Sequence, residues 1–167
     1  MVDFTFLYST NDTVRVIDDE LLNKFYDAGC DDCVIGFGKE SVIAFEFSTD
    51  ETDIRKYIEQ KRICIETVIP LATLFEVTPD MVNLSDIARL FGCSRQNIHK
   101  NMAKHDTFPN PITSSDTSIW RLYEVVKWVK SKRLLTYSTL PSNTILEELA
   151  FTTASINLKI QLDRLKR

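Results

Sequence analysis

The sequence predicts an α+β protein in more than one part, and three observations carry that expectation. Residues 4 to 77 alternate short apolar runs with two amphipathic helical stripes. From Asn83 onward the pattern is helical almost throughout. Charge reverses between the two stretches: residues 1–80 hold 7 basic and 17 acidic residues, net −10, residues 81–135 hold 9 and 4, net +5, and residues 136–167 hold 4 and 3, net +1. The total of −4 over 167 residues conceals this asymmetry.

Phe4 to Tyr8 reads as an opening strand, followed by turn chemistry from Ser9 to Thr13. Asp18 and Asp19 precede Leu21, Leu22, Phe25 and Tyr26, a helix ending at Gly29. Cys33 to Phe37 and Val42 to Phe47 flank Gly38 to Ser41 as a β-hairpin. Thr49 to Glu51 offers caps for a second helix that Pro70 stops, and Thr73 to Val77 is a last strand. The order strand, helix, strand, strand, helix, strand suggests a ferredoxin-like βαββαβ domain over residues 1–80.

Asn83 or Ser85 is expected to cap a helix through Phe91, and Ser94 a second one carrying Ile98 and Met102. A loop or small hairpin spans Phe108 to Ile119, a further helix Trp120 to Lys132, and Ser138 to Asn143 is a linker. From Thr144 an irregular apolar face (Leu146, Leu149, Ile156, Ile160, Leu162, Leu165) marks a C-terminal helix, with Phe151, Leu158 and Leu165 seven apart. Such a tail, residues 136–167, packs on its own domain or pairs with a second copy.

The run Leu84 to Lys104 carries the functional expectation. Two helices crossing at close range need a small residue in the first, a glycine at the turn and an apolar anchor beyond it, and Ala88, Gly92 and Ile98 have that spacing. Residues 81–135 are therefore expected to form a winged helix-turn-helix. The second helix, 94–104, is polar outside through Arg95, Gln96, Asn97, His99 and Lys100. Ser94 suits a phosphate at a helix N-terminus. Arg95 suits guanine O6 and N7, and Gln96 or Asn97 adenine N6 and N7. His99, Lys100 and Lys104 suit the backbone, while Thr113, Ser114, Ser115 and Arg121 suit an adjacent groove.

The segment Phe108-Pro109-x-Pro111, through Ile119-Trp120-Arg121 to Glu124-Val125-x-x-Trp128, resembles the wing and following helix of excisionase-like and MerR-type winged domains. Asp27 to Asp32, Phe45-Glu46-Phe47 and Val77-Thr78-Pro79-Asp80-x-Val82 resemble a family of small bacterial DNA-binding regulators, in which an acidic α+β domain precedes a winged helix. That resemblance covers about residues 1 to 133 and implies DNA binding and a regulatory role. The chain departs from it in a shorter, Gly-free loop at Lys104 to Thr107 and in its C-terminal tail.

Other chemistry is less well supported. Cys30-Asp-Asp-Cys33 has the C-x-x-C spacing of zinc and dithiol centres, but no second close pair of ligands follows, and Asp31 and Asp32 would raise the thiol pKa. Gly36-x-Gly38-Lys39-x-Ser41 lacks the spacer of a phosphate loop. No carboxylate pair accompanies a histidine in a recognisable motif, so neither an enzyme nor a cofactor or metal is expected. The four cysteines are expected as reduced thiols in a cytoplasmic protein, since no long apolar run or signal-like N-terminus occurs. The expected partners are double-stranded DNA and a second copy in a homodimer. The acidic domain is a solvated surface, a ligand-sensing module or a face for a protein partner. Rival readings are an antitoxin-like or adaptor protein and an excisionase-type recombination cofactor.

Overall fold

A computed structural model of the chain describes residues 1–14, 16–38, 41–114, 116–132 and 143–166, with the backbone alone at Asn143. They fall into two compact units, Met1–Thr78 with Ser155–Arg167, and Pro79–Ala154. The fold is mixed α+β, with a β-α-β-β-α-β order at its N-terminus and several helices after it. Among the described residues no helix is long and apolar enough to cross a membrane.

The first unit contains β1 (Val2–Ser9), α1 (Asp19–Asp27), β2 (Cys33–Phe37), β3 (Val42–Thr49), α2 (Ile54–Val68) and β4 (Thr73–Thr78). The strands form one antiparallel sheet in the order β2-β3-β1-β4. Strand alternation explains the core. Phe4, Phe6 and Tyr8 of β1 and Ile43, Phe45 and Phe47 of β3 are buried together with Phe25 of α1 and Ile54, Ile58 and Ile65 of α2. Phe25 meets Phe45 at 5.0 Å between ring centroids, and Phe4 stacks on Phe47 at 5.1 Å.

Local chemistry sets the element ends. The Asp18 carboxylate accepts from the Leu21 N–H at 2.9 Å and starts α1, which leads into Gly29 at φ +91°. The α2 cap is Asp53, accepting from the Lys56 N–H at 3.1 Å, a position beyond the expected Thr49 to Glu51. Thr49 instead accepts from the Glu51 N–H at 3.2 Å. Ser41 has φ +61° where the β2–β3 hairpin closes, the left-handed residue that a three-residue hairpin loop requires. The expected turn residues Lys39 and Glu40 lie outside the described residues.

The second unit contains β5 (Met81–Val82), α3 (Leu84–Leu90), α4 (Arg95–Lys104), β6 (Trp120–Arg121), α5 (Leu122–Ser131) and the start of α6 (Asn143–Leu165). Two elements correct the sequence expectation. The helix expected from Trp120 begins at Leu122, because Trp120 and Arg121 pair with Val82 and Met81 as a two-stranded ribbon. The C-terminal helix is continuous over 23 residues, and its buried side is not the apolar face expected. Leu146 and Leu149 are buried, but Leu158, Leu162 and Leu165 are exposed, while Thr152, Thr153, Ala154 and Asn157 are buried. The expected linker, 138–143, lies outside the described residues except for the Asn143 backbone.

Polar bonds account for two of these residues, Thr153 and Asn157. The Thr153 hydroxyl donates to the Pro79 carbonyl at 2.7 Å in the second unit. In the first unit the Asn157 amide accepts from the Val77 N–H and donates to the Val77 carbonyl, both at 2.8 Å, completing the outer edge of β4. Asn157→Ala should cost about 1–3 kcal/mol, because it leaves buried backbone groups unpaired. Urea unfolding read by circular dichroism checks this, and an unchanged midpoint would contradict it.

Candidate nucleic-acid interface

The pair α3 and α4 is assembled by its caps. The Asn83 side chain accepts from the Ser85 and Asp86 N–H groups at 2.7 and 3.1 Å, and Asp86 accepts from the Asn83 N–H at 3.1 Å. This capping box fixes where α3 starts. Gly92 then takes φ +59°, and the Cys93 N–H donates back to the Ala88 carbonyl at 2.9 Å, so the chain leaves α3 through a left-handed residue. Ser94 Oγ accepts from the Asn97 N–H at 3.2 Å and starts α4. Ala88 and Ile98 are both buried, as the small residue and the anchor between two close helices must be.

Anchoring α4 through Ile98 leaves the opposite face to solvent. Ser94, Arg95, Gln96, Asn97, His99, Lys100 and Lys104 are all exposed. The Asn97 amide oxygen accepts from Asn101 Nδ2 at 2.6 Å. Among the described residues Arg95, Lys100 and Lys104 form no ion pair, whereas Arg89 pairs with Asp86, Arg121 with Asp80 and Lys130 with Glu147. Lys127 instead lies 5.3 Å from the Tyr123 ring centroid.

Between α4 and β6 in the chain, the Ile112 N–H donates to the Ile119 carbonyl at 2.7 Å and the Ile119 N–H to the Thr113 carbonyl at 3.0 Å. These bonds close a small hairpin whose far side exposes Thr113 and Ser114. Ser115 lies outside the described residues. Three aromatic rings brace the hairpin. Phe108 sits 4.9 Å from Trp128 and 5.8 Å from Trp120, both edge-on. Trp120 Nε1 donates to the Pro109 carbonyl at 3.0 Å, and Trp128 Nε1 to Thr107 Oγ1 at 3.2 Å.

Arg121 is the sequence-selected residue that its surroundings engage elsewhere. Its Nη1 donates to both carboxylate oxygens of Asp80, at 2.7 and 2.8 Å, with Arg121 14% and Asp80 1% exposed. Asp80 is a positioning residue that the sequence does not single out. The available signal was weak: Asp80 directly precedes β5, and only the register Met81↔Arg121 brings the two charges together. Removing one partner of a buried, doubly bonded pair is strongly destabilising, so Arg121→Ala should lower stability by about 3–5 kcal/mol. A thermal or urea midpoint equal to that of the unmodified protein would refute this.

Among the described residues no group of three or more His, Cys, Asp or Glu is arranged to hold a metal ion. The four cysteines are free, and Cys33 Sγ donates to the Cys30 carbonyl at 3.4 Å. Burial, with Cys33 alongside, pushes the Cys30 thiol up to about 12. Burial and then Asp32 push Cys33 up to about 11. Asp32 is itself disfavoured by burial, but hydrogen bonds from Lys61 and Tyr57 outweigh that and hold its pKa below the usual value. Neither thiol has the thiolate character of a redox pair. At pH 8 both should be alkylated at least about tenfold more slowly than in denatured protein, by mass spectrometry of quenched time points; equal rates would contradict this.

No family model matches the chain, and neither a curated protein nor a solved structure matches it.

Proposed function

We propose that the chain is a transcriptional regulator that reads double-stranded DNA sequence-specifically, with Pro79–Ala154 acting as a winged helix-turn-helix. In this reading α4 enters the major groove and the 112–119 hairpin is the wing. The observation that carries it is the solvent face of α4: Arg95, Lys100 and Lys104 project without carboxylate partners among the described residues, while Ile98 holds the helix from behind. A cation left unpaired on a rigid helix keeps its charge for an external anion. We further assign the first unit to the ferredoxin-like class, on its strand order β2-β3-β1-β4 and two intervening helices.

The roles follow from chemistry. Arg95, in the first turn of α4, offers the planar fork that fits guanine O6 and N7. Gln96 offers a carboxamide that bonds no other side chain among the described residues, and it is better suited to adenine than Asn97, whose oxygen already accepts from Asn101. Ser94 retains a hydroxyl proton for a phosphate while its lone pair caps the helix. His99, Lys100 and Lys104, with Thr113 and Ser114 of the hairpin, fit backbone contacts. Arg121 is left out, since DNA would have to displace Asp80. The net −10 of residues 1–80 opposes non-specific attraction, so affinity rests on base contacts and on pairing of two copies over half-sites about 34 Å apart.

Selection of bound genomic fragments followed by gel shifts tests the reading. An enriched motif is expected. Arg95→Ala should lose about 1–3 kcal/mol of discrimination at one base position. Lys104→Ala should weaken binding to all sequences alike and reduce the salt slope by about one. The reading fails if no motif is enriched or if Arg95→Ala binds as the unmodified protein does.

A further inference from the structure

The two edges of the first unit's sheet differ. On β4 the groups of Val77 that point away from β1 are met by the Asn157 amide at 2.8 Å. On β2 the register decides which groups face out. The Gly38 N–H donates to the Val42 carbonyl at 2.7 Å, and β2 pairs with β3 without a shift from Cys33↔Phe47 to Phe37↔Ile43. Hydrogen-bonded pairs alternate along an antiparallel ladder, so Val34 and Gly36 bond β3 as Gly38 does. The N–H and C=O groups of Cys33, Ile35 and Phe37 therefore point outward. The β1–β3 ladder agrees: the Thr10 N–H donates to the Ser41 carbonyl at 2.8 Å, which turns the odd residues of β3 toward β1 and the even ones toward β2. Among the described residues nothing bonds the outward groups of β2.

Edge strands of monomers are usually blunted by a lysine, a proline or a bulge. Cys33–Phe37, CVIGF, has none of these, with Val34 69% and Phe37 40% exposed. Its outward groups are also self-complementary. They are evenly spaced about Ile35, so a two-fold axis at that residue sets Ile35 against Ile35 and Cys33 against Phe37. Every outward N–H then faces an outward C=O of the other copy. On the open face the same axis sets Val34 against Gly36, a bulky residue opposite one with no side chain. The strand itself is uncharged in a segment of net −10, so the contact between two acidic units is made where charge is absent.

We propose that β2 is a homodimerisation edge, at which two copies join antiparallel about Ile35 to make one continuous eight-stranded sheet. This deepens the two-copy reading above and rests on it for its biological sense, but it is measured without DNA.

The test is sedimentation of the full-length chain over a range of concentrations, with amide hydrogen exchange on the same samples. Expected is a dimer in which the Cys33, Ile35 and Phe37 amides gain protection with concentration, while Val34 and Gly36 are protected throughout. Phe37→Pro removes an outward donor and no bond within the chain, so it should weaken self-association about tenfold or more, the bond being lost twice in a symmetric dimer. Val34→Lys, on the exposed face, is the second variant and should also favour the monomer. A monomer at every concentration overturns the proposal. So does a dimer whose Cys33, Ile35 and Phe37 amides exchange freely, or a dimer that both variants leave intact. A monomeric protein that still selects a DNA motif sinks the edge and leaves the regulator; a β2 dimer that selects none sinks the regulator and leaves the edge.

Discussion

A carboxylate that is 1% exposed has to be answered by a cation, and the architecture of the second unit follows from how Asp80 is answered. Its side chain takes Arg121 from the second strand of the β5–β6 ribbon, and its backbone carbonyl accepts from the Leu122 N–H at 2.7 Å, at the first residue of α5. One residue thus ties the entry of the unit to the end of the hairpin and to the start of α5. Trp120, one residue away, faces the other side and meets Phe108, so charge and aromatic packing hold the same short strand from opposite directions. Behind the exposed face of α4, Ile98 is buried and lines the same apolar pocket as Phe108, Val125 and Trp128.

Much of this was readable in the residues, and the losses have physical causes. Alternation in FTFLY and VIAFEF, turn chemistry at 9–13, and acidic residues ahead of amphipathic stripes brought out every strand and helix of the first unit, because each element there obeys its local preference. The caps Asn83 and Ser94 were legible for the same reason. What escaped is long-range. A two-residue ribbon has no period, so Trp120-Arg121 read as the first turn of α5. In the tail, hydrophobicity is a poor guide to the buried side. Thr153 and Asn157 are buried there by bonds to backbone groups 74 and 80 residues away, which no local pattern announces.

Electrostatics divides the cations of the second unit into two sorts. Arg89, Arg121 and Lys130 neutralise carboxylates of their own unit, while among the described residues those on α4 pair with none. Sequence alone does not distinguish these: Arg121, which by its place beside the hairpin suits an adjacent groove, is bonded to Asp80 in the structure. A cation's use is a property of its neighbours rather than of its identity.

The Asn157 bonds also bear on how the chain acquires its structure. The first unit is discontinuous: Met1–Thr78 is completed by Ser155–Arg167, with the whole second unit intervening. On a ribosome the segment holding β1 to β4 emerges early, yet the amide that closes the β4 edge arrives only after residue 154. The second unit is contiguous and can close as soon as its own residues are available. The chain therefore has a built-in order of maturation, in which the N-terminal sheet waits longest with an open edge, the interval in which a polypeptide is most exposed to mispairing.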